Sequence, residues 1–522
     1  MKLVPFFIRH FLPIGLVAAL GAVLFTSISP ADSTRVDGFG IDMNALPALT
    51  LENVDSIMTL VQSTGAEYIV QEFNWSEIET SAGVYNWSSV TPLDLLVSSA
   101  AAHNLKVVAV LTGGPVYLAV SGQPLDPVAF GDHWEKFVQA AVDHFGESVD
   151  IWQIGSEVNS YYGMAPFLTP LSPNETYSPN TEFYADVLQS ASKIIKTVDP
   201  NDQVWMGSLT GMSSGSCAMS PLTFMLEMNA TKAWKRADAI LYQPVQGAAV
   251  PENQAAGLIS SACSSNLMSA PTSMSSEIQA VQELARQLGG KPVIVTGMGW
   301  SPSDLQALSV GRQISAGQLE ADLLVRASAA LMAQNSISTI IWNADISSNI
   351  NARNALTNLQ RVLEDSKPLG QVQGFAGAVF EYRFRQGGKI TAFAWRSQDG
   401  DTAYPVVLQT QDIASFTAFA ADADPASSES GLAVPANASG EAVVMLNERP
   451  VVFTGKSSDL TQSMKLAVTD QVELWKIELR NAAVHWLNHQ KASLNDLLDQ
   501  WINQAKESAI EWGENKLDDL LP

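Results

Sequence analysis

Between residues 36 and 364 of this 522-residue chain, segments with the apolar pattern of strands alternate with segments that have the apolar pattern of helices. Short apolar runs rich in β-branched residues are typical of buried parallel strands, and an apolar residue every three or four positions is typical of an amphipathic helix. Eight strands that alternate with helices, with an irregular and only partly helical region between the fifth and sixth strands, predict an α/β fold, a (β/α)8 TIM barrel of about 250 residues or more. The alternative is a doubly wound open sheet, but no glycine-rich nucleotide loop opens the first helix. The predicted strands are 36–41, 68–73, 106–111, 149–154, 204–207, 239–242, 291–296 and 338–343, and the predicted helices are 51–63, 93–103, 133–144, 183–198, 276–288, 319–333 and 355–364.

The pattern changes twice after residue 370. Short alternating runs separated by turn residues predict a small antiparallel β-sandwich over 371–456. From 457 to 522, apolar residues such as Val468, Val472 and Trp475 recur at spacings of three and four, which predicts an amphipathic helical tail. The tail either docks on the body or joins copies into a homo-oligomer through its apolar stripe, whereas its acidic polar face disfavours lipid binding.

Residues 1–33 form a separate N-terminal segment. Basic residues precede an uncharged apolar run from 11 to 28, the pattern of a segment that enters a membrane. A signal peptide and an uncleaved membrane anchor both fit, because the run is near the lower length limit for spanning and Pro30 weakens the cleavage site. Both alternatives predict that the barrel over 34–370 is extracytoplasmic, either secreted or anchored to the membrane.

Composition and charge narrow the classes of partner. An apolar fraction of 46% with 16% charged residues indicates a folded protein rather than a disordered one. The net charge of −24 argues against nucleic acid as a partner, because phosphates would be repelled. The two cysteines, Cys217 and Cys263, can pair as a disulfide in an exported protein or stay unpaired. No Cys/His spacing matches a zinc site, so neither a metal nor a cofactor is predicted.

A lone carboxylate follows the fourth predicted strand. Glu157 comes directly after an apolar run and two small residues. In a (β/α)8 barrel the loops after the strands converge over the barrel axis and carry the chemistry. Glu157 is therefore the first candidate catalytic residue, and a solvated loop glutamate is the alternative.

Four stretches of sequence resemble one known group of enzymes. They are F-N-W-S-E-I-E at 73–79 with G-V-Y-N-W at 83–87, G-P-V-Y at 114–117, W-Q-I-G-S-E-V-N at 152–159, and K-P-V-I-V-T-G-M-G-W at 291–300. These stretches resemble clan A glycoside hydrolases, close to the family 39 xylosidase and iduronidase group. The resemblance spans about 36–455, and it implies a barrel followed by a sandwich, a polysaccharide or oligosaccharide ligand, and no cofactor.

The resemblance also implies a damaged active site. Retaining hydrolysis needs two carboxyl groups about 5–5.5 Å apart, one an acid/base and the other a nucleophile. Glu157 stands at the acid/base position, but Gly297 stands at the nucleophile position and has no side chain. Ser156, Gln71 and Gln243 replace an asparagine, an arginine and a histidine of the family pattern. Together these departures predict that the double-displacement reaction has been lost.

Three hypotheses of function follow. The first is an exported glycosidase-like protein with a degenerate site that binds carbohydrate or acts as a scaffold. The second is an active hydrolase in which Asp345 or Glu72 replaces the missing carboxylate; an inverting reaction would need a gap of about 6.5–9.5 Å from Glu157. The third is a cell-envelope structural protein assembled through its tail. The predicted sugar-binding residues are Gln71, Trp75, Tyr117, Ser156, Asn159, Tyr242, Gln243, Trp300 and Trp342.

Overall fold

The structure is a computed structural model that describes residues 36–114, 116–118, 127–160, 179–212, 219–253, 273–335, 337–371, 379–396, 404–409, 417–428, 432–433 and 441–456. The N-terminal segment, Cys217, Cys263 and the tail from residue 457 lie outside these ranges, so the predictions of export, of a disulfide and of tail assembly stay predictions. Within the described ranges, no helix is both long and apolar enough to cross a bilayer.

Eight parallel strands follow one another around a barrel, as the sequence predicts. The ring closes between the fifth and sixth strands, where Met206 N donates to Ala239 O at 3.0 Å and Asp238 N donates to Val204 O at 2.6 Å. A two-residue strand, Leu209–Thr210, extends the ring beside the sixth strand. The barrel strands are β1 Gly38–Asp42, β2 Tyr68–Asn74, β3 Lys106–Thr112, β4 Ile151–Ile154, β5 Gln203–Met206, β6 Ile240–Gln243, β7 Val293–Met298 and β8 Thr339–Trp342.

The predicted helices are present, and two further helices occur. Both additional helices begin at a proline, at the first position where its missing N–H costs nothing. Among the described residues, the helices of eight or more residues are α1 Val54–Ser63, α2 Leu93–Ala102, α3 Pro127–Phe145, α4 Thr181–Val198, α5 Pro221–Ala230, α6 Met274–Gln287, α7 Pro302–Ser309, α8 Ala316–Asn335 and α9 Ile350–Leu363, of which α5 and α7 are the additions.

Side chains on successive strand positions enter two separate cores. One face of each strand fills the barrel interior with residues such as Tyr68, Val108 and Leu241. The other face packs outward with the helices, in a much larger cluster that includes Phe39 and Trp342. Because neighbouring strand residues point to opposite sides, a shift of one position decides whether a side chain can reach the barrel mouth.

An antiparallel sheet follows the barrel. Two buried contacts join it to the barrel: the Trp395 indole donates to Glu252, which pairs with Arg326 of α8, and Arg312, which precedes α8, pairs with Glu448. The order of its strands is Lys367–Gln371, Val379–Gln386, Lys389–Arg396, Val451–Lys456, Thr417–Ala420 and Leu432–Ala433, and the strands Tyr404–Gln409 and Glu441–Leu446 pair separately. The predicted fold class, a TIM barrel followed by an antiparallel β-sandwich, is confirmed.

Candidate functional site at the barrel mouth

Glu157 lies in a tight turn at the C-terminal end of β4. Gly155 has φ +80° and Glu157 itself has φ +47°, a left-handed conformation that is uncommon for a residue with a side chain. The turn is held by Ser208, whose hydroxyl accepts a hydrogen bond from Glu157 N at 2.9 Å and lies 3.2 Å from the hydroxyl of Ser156. The backbone at Glu157 is therefore held at the end of β4 by a contact that the sequence alone did not indicate.

The Glu157 carboxyl is partly withdrawn from solvent. Burial raises its pKa, and the Thr210 hydroxyl and the Gln243 amide, which face it, partly offset that rise. A raised pKa keeps a carboxyl protonated to higher pH, which is the state that a general acid needs. The environment of Glu157 is therefore suited to a general acid.

Gln243 occupies the space beside the nucleophile position. Gly297 has φ +60°, and a Cβ atom built on it would lie 2.9 Å from Cδ and 3.1 Å from Cγ of Gln243. The same glutamine amide faces Glu157. The space that a side chain at Gly297 would enter is therefore already occupied by the side chain of Gln243 from β6.

We expect Gly297→Ala to lower the free energy of unfolding by about 2–4 kcal/mol, through the left-handed backbone and the crowding against Gln243. Gly290 is the matched control, because its φ is +76° and a Cβ there would meet nothing within 4 Å. Gly290→Ala should lose only the stability that the left-handed backbone costs. In the double variant Gly297→Ala/Gln243→Ala, the part of the loss that comes from crowding should be recovered. Urea unfolding measures all four proteins, and equal losses in the two glycine variants would contradict the crowding.

The carboxyl group of Glu72 lies near that of Glu157, and Asp42 lies near Glu72 in turn. Asp42 ends β1, and burial raises its pKa. Glu72 lies near the end of β2, on the same face as Tyr68 and Val70 of the barrel interior. Burial raises the pKa of Glu72 first, and the charges of Asp42, Glu77 and Glu157 raise it further. The charged neighbours that shift Glu72 are thus all acidic.

Asp345 follows β8, and its carboxylate is hydrogen-bonded within its own turn. Its carboxylate accepts hydrogen bonds from the backbone N–H of Ser347 and Ser348, at 2.9 and 3.3 Å, and from both serine hydroxyls. The pKa of Asp345 is lowered, since these hydrogen bonds outweigh the opposing effect of burial. A carboxylate with a lowered pKa is a weak base, which disfavours Asp345 as the activator of a water molecule.

A cleft of about 950 Å³ opens beside this site, between the loops that follow β6, β7 and β8. Its volume is in the range of small-molecule sites. Of the predicted site residues, it brings together Gln243, Gly297, Trp300 and Asp345, and the exposed Asn343 lies among them. Trp300 is largely buried, and its indole N–H donates to Ala249 O at 2.9 Å.

Four of the predicted sugar-binding residues lie on the side of the barrel wall that faces the helices. Trp342 is fully buried, and its indole donates to the Ser328 hydroxyl of α8 at 3.2 Å. Trp75 is also fully buried and stacks on Phe137 of α3. The other two are Tyr242, whose hydroxyl donates to Glu277 of α6, and Gln71, which shares its strand face with Ile69 and Phe73.

Two more of the predicted residues support the loops. The buried amide of Asn159 donates to Thr210 O at 3.1 Å and to Met219 O at 2.9 Å, so it anchors the loop after Glu157. The hydroxyl of Tyr117 lies 3.2 Å from His133 Nδ1, and burial followed by the contact with Glu79 raises its pKa.

Glu79 gives the 73–87 motif a structural role. This buried carboxylate accepts the indole N–H of Trp75 at 2.5 Å and the backbone N–H of Gly83 at 2.6 Å. The I-E-x-x-x-G part of the 73–87 motif is therefore a structural clamp. Among the described residues, no group of His, Cys, Asp and Glu is placed to hold a metal ion.

The fold places the chain beside known glycoside hydrolases. No protein-family model matches the chain, and no curated protein matches it. A family 39 glycoside hydrolase from the gut symbiont Bacteroides cellulosilyticus WH2 shares 15% identity with a TM-score of 0.59, over 81% of this chain and 82% of that one. A GH30 endoxylanase from Clostridium papyrosolvens C71 shares 13% identity with a TM-score of 0.53, over 82% and 98%.

A third similar structure is described as a conserved exported protein from Bacteroides fragilis. It shares 10% identity with a TM-score of 0.52, over 82% of this chain and 99% of that one. The resemblance to clan A glycoside hydrolases that the motifs predict is therefore confirmed at the level of the fold.

Proposed function

We propose that this protein binds carbohydrate at its barrel mouth and does not carry out retaining glycoside hydrolysis. The observation that carries the proposal is the pairing of Gly297 with Gln243, which leaves Glu157 without a carboxylate partner from β7. Retaining hydrolysis requires that partner, since it forms the covalent intermediate. Fold alone does not establish activity, so the argument depends on these side chains.

The cleft supports binding. It is concave, and Trp300 lines it together with the polar residues Gln243 and Asn343. Such a mixture of apolar surface and a few fixed polar groups is usual in small-molecule sites. The structures similar to this chain include a family 39 glycoside hydrolase and a GH30 endoxylanase, which supports a glycan as the ligand class.

Calorimetric titration with xylo- and gluco-oligosaccharides tests the binding. We expect saturable binding that Asn343→Ala weakens by roughly threefold to tenfold, the effect of one hydrogen bond. Asn201→Ala is the matched control, because this exposed residue precedes β5 at the opposite end of the barrel. No binding across the panel, or equal effects of the two variants, would overturn the proposal of a glycan site in this cleft.

Aryl-glycoside turnover tests the absence of hydrolysis. We expect wild-type protein at high concentration to release no more aglycone than Glu157→Gln does. A second candidate function is a hydrolase that uses Glu72 as its second carboxyl group, and one observation favours it: the charge of Glu157 helps to raise the pKa of Glu72. Turnover abolished by both Glu157→Gln and Glu72→Gln would establish that candidate.

Export also belongs to the proposal. The basic and apolar pattern of residues 1–33 supports it, and so does the similar structure described as an exported protein. Fractionation of cells that produce the full chain tests it, and recovery of the protein only from the cytoplasm would contradict it.

A further inference from the structure

Partly exposed aromatic rings follow one face of α3. His133, Phe137 and His144 share that face, because residues four and seven positions apart lie on the same side of a helix. Phe137 is fully buried and lies beneath two of the other rings. The rings that remain partly exposed form a set that we call the aromatic strip: Tyr85, Trp87, Tyr117, His133 and His144.

Contacts between the rings make the strip continuous. Near the beginning of α3, the ring centroids of Tyr117 and His133 lie 5.5 Å apart, and at its end the centroids of Trp87 and His144 lie 5.2 Å apart. Tyr85 joins the two parts, since its centroid lies 5.7 Å from that of Trp87 and its hydroxyl is close enough to that of Tyr117 to interact with it electrostatically. Because eleven positions of a helix separate the two histidines, the strip is roughly 16 Å long.

Three successive rings of the strip are nearly parallel. The ring planes of Tyr85 and Trp87 differ by 15°, and those of Trp87 and His144 by 16°. Their centroid separations exceed the about 3.5–4.0 Å of direct face-to-face contact, so the rings are offset and cover one another only in part. The His144 side chain is 41% exposed. The strip therefore presents parallel, partly uncovered ring surfaces.

Apolar and acidic groups border the strip. Val84 and Val90, in the loop after β2, are 61% and 65% exposed. A carboxylate oxygen of Asp94 lies 2.6 Å from His144 Nε2, and Glu79 neighbours the two tyrosines of the strip. The surface therefore offers apolar contact together with hydrogen-bond acceptors, and its charges disfavour an anionic ligand.

The strip is separate from the cleft that carries the proposed function. Its rings come from the motifs G-V-Y-N-W at 83–87 and G-P-V-Y at 114–117 and from α3, and neither motif supplies a residue to the cleft. The loops after β2 and β3 hold the strip, whereas the loops after β6, β7 and β8 hold the cleft. In a ring of eight strands, β2 and β6 are four strands apart, so the two surfaces lie on opposite sides of the barrel mouth.

We infer that the aromatic strip is a second glycan-binding surface, which takes an uncharged linear oligosaccharide of several sugars. This inference rests on glycan as the ligand class in the proposed function. The C–H face of a sugar ring packs on an aromatic ring while its hydroxyls bond polar groups at the edge, and a row of parallel rings suits a repeating chain. Asp94 and Glu79 would repel a uronic or sulfated chain. Nucleic-acid bases also stack on aromatic rings, but the net charge of −24 disfavours them.

The imidazole signals of the histidines test the inference in the full chain. The chain has six histidines, and replacement of each by glutamine assigns its signal in an NMR spectrum. On titration with cellohexaose or xylohexaose, we expect saturable shifts of the His133 and His144 signals. The His103 signal should not move, because this residue follows α2 and contacts Ser99 and Thr59 rather than the strip.

A pair of variants measures the contribution of one ring. His144→Ala should weaken the binding of the better hexasaccharide by roughly threefold to tenfold in calorimetric titration, as the loss of one ring contact would give. His103→Ala is the matched control, because His103 also follows or ends a helix and also lies near an aspartate, at 4.0 Å from Asp55. Urea unfolding verifies that both variants are folded.

The outcomes separate the strip from the cleft. Hexasaccharide binding that Asn343→Ala weakens while the His133 and His144 signals stay fixed would overturn the strip inference and leave the cleft intact. Shifts of both signals with an affinity that Asn343→Ala does not change would support the strip and count against the cleft. Equal effects of His144→Ala and His103→Ala would overturn the strip. So would shifts that appear when the protein is concentrated without sugar, because they would identify a second copy as the occupant. Binding of neither sugar would remove both proposals.

Discussion

Glu252→Ala is expected to lower the free energy of unfolding by about 3–5 kcal/mol, the cost of leaving a buried charge without its partner. Glu252 receives two hydrogen bonds from the Arg326 guanidinium, and the Trp395 indole donates to it at 2.8 Å. Both ionic side chains are nearly inaccessible, at 2% for Arg326 and 6% for Glu252. Because Trp395 belongs to the antiparallel sheet and Arg326 to α8, the pair helps to fix the sheet on the barrel. Urea unfolding measures the change.

Glu283→Ala is the matched control for this prediction. Glu283 pairs with Arg286 on the surface of α6, where exposed ion pairs contribute little. A second comparison removes both buried charges: Glu252→Leu/Arg326→Met should recover much of the loss, because a hydrophobic pair of similar volume avoids the desolvation of two ions. If Glu252→Ala cost no more than Glu283→Ala, the buried pair would have no special role in stability.

The order of strands and helices could be predicted from the sequence because it depends on local patterns. The eight predicted barrel strands overlap the observed ones, since β-branched apolar runs and helical periodicity are strong signals. The closure of the ring between β5 and β6, and the buried ion pairs between distant segments, could not be predicted from the sequence. They join residues such as Arg326 and Glu252 that lie 74 positions apart, and no local pattern shows such a contact.

The site could be predicted only in part, because the motifs do not show which face of a strand each side chain occupies. The motifs located the end of β8 correctly, but they did not show that Trp342 shares its face with Ile340, which packs toward the helices, while Ile341 fills the barrel interior. The alternation of strand side chains contained that information. Ser208 had no sequence signal, because its importance arises from what lies next to it in three dimensions.

The pairing of Gln243 with Gly297 changes how the departures from the family pattern are understood. Taken one at a time from the sequence, each is a single loss. In the structure, the glutamine on β6 lies where a side chain at Gly297 would begin and also faces Glu157. A side chain at Gly297 would therefore have to displace the Gln243 side chain, so the two positions are coupled.

A second buried carboxyl group beside the sheet makes stability depend on pH. Asp322 of α8 is 3% exposed, and burial raises its pKa to about 8 although Arg449 lies 3.4 Å away and acts in the opposite direction. The Arg449 guanidinium also donates two hydrogen bonds to Asp422, at 2.9 and 3.1 Å, so its positive charge is shared between Asp422 and Asp322. Between pH 4 and 8, the folded protein therefore holds a proton that the unfolded chain has released.

Asp322→Asn is expected to stabilise the protein relative to wild type progressively as pH rises from 5 to 8. The folded state binds more protons than the unfolded state in this window, so wild-type stability falls with pH, by up to about 1.4 kcal/mol per pH unit from this group. The asparagine has no proton to lose. Urea unfolding at pH 5, 6, 7 and 8 gives the difference in the free energy of unfolding between the two proteins.

Glu283→Gln is the control, because Arg286 lowers the pKa of Glu283 and the contribution of Glu283 to stability is lost only at lower pH. A difference between Asp322→Asn and wild type that stays constant across the series would show that Asp322 is ionised throughout.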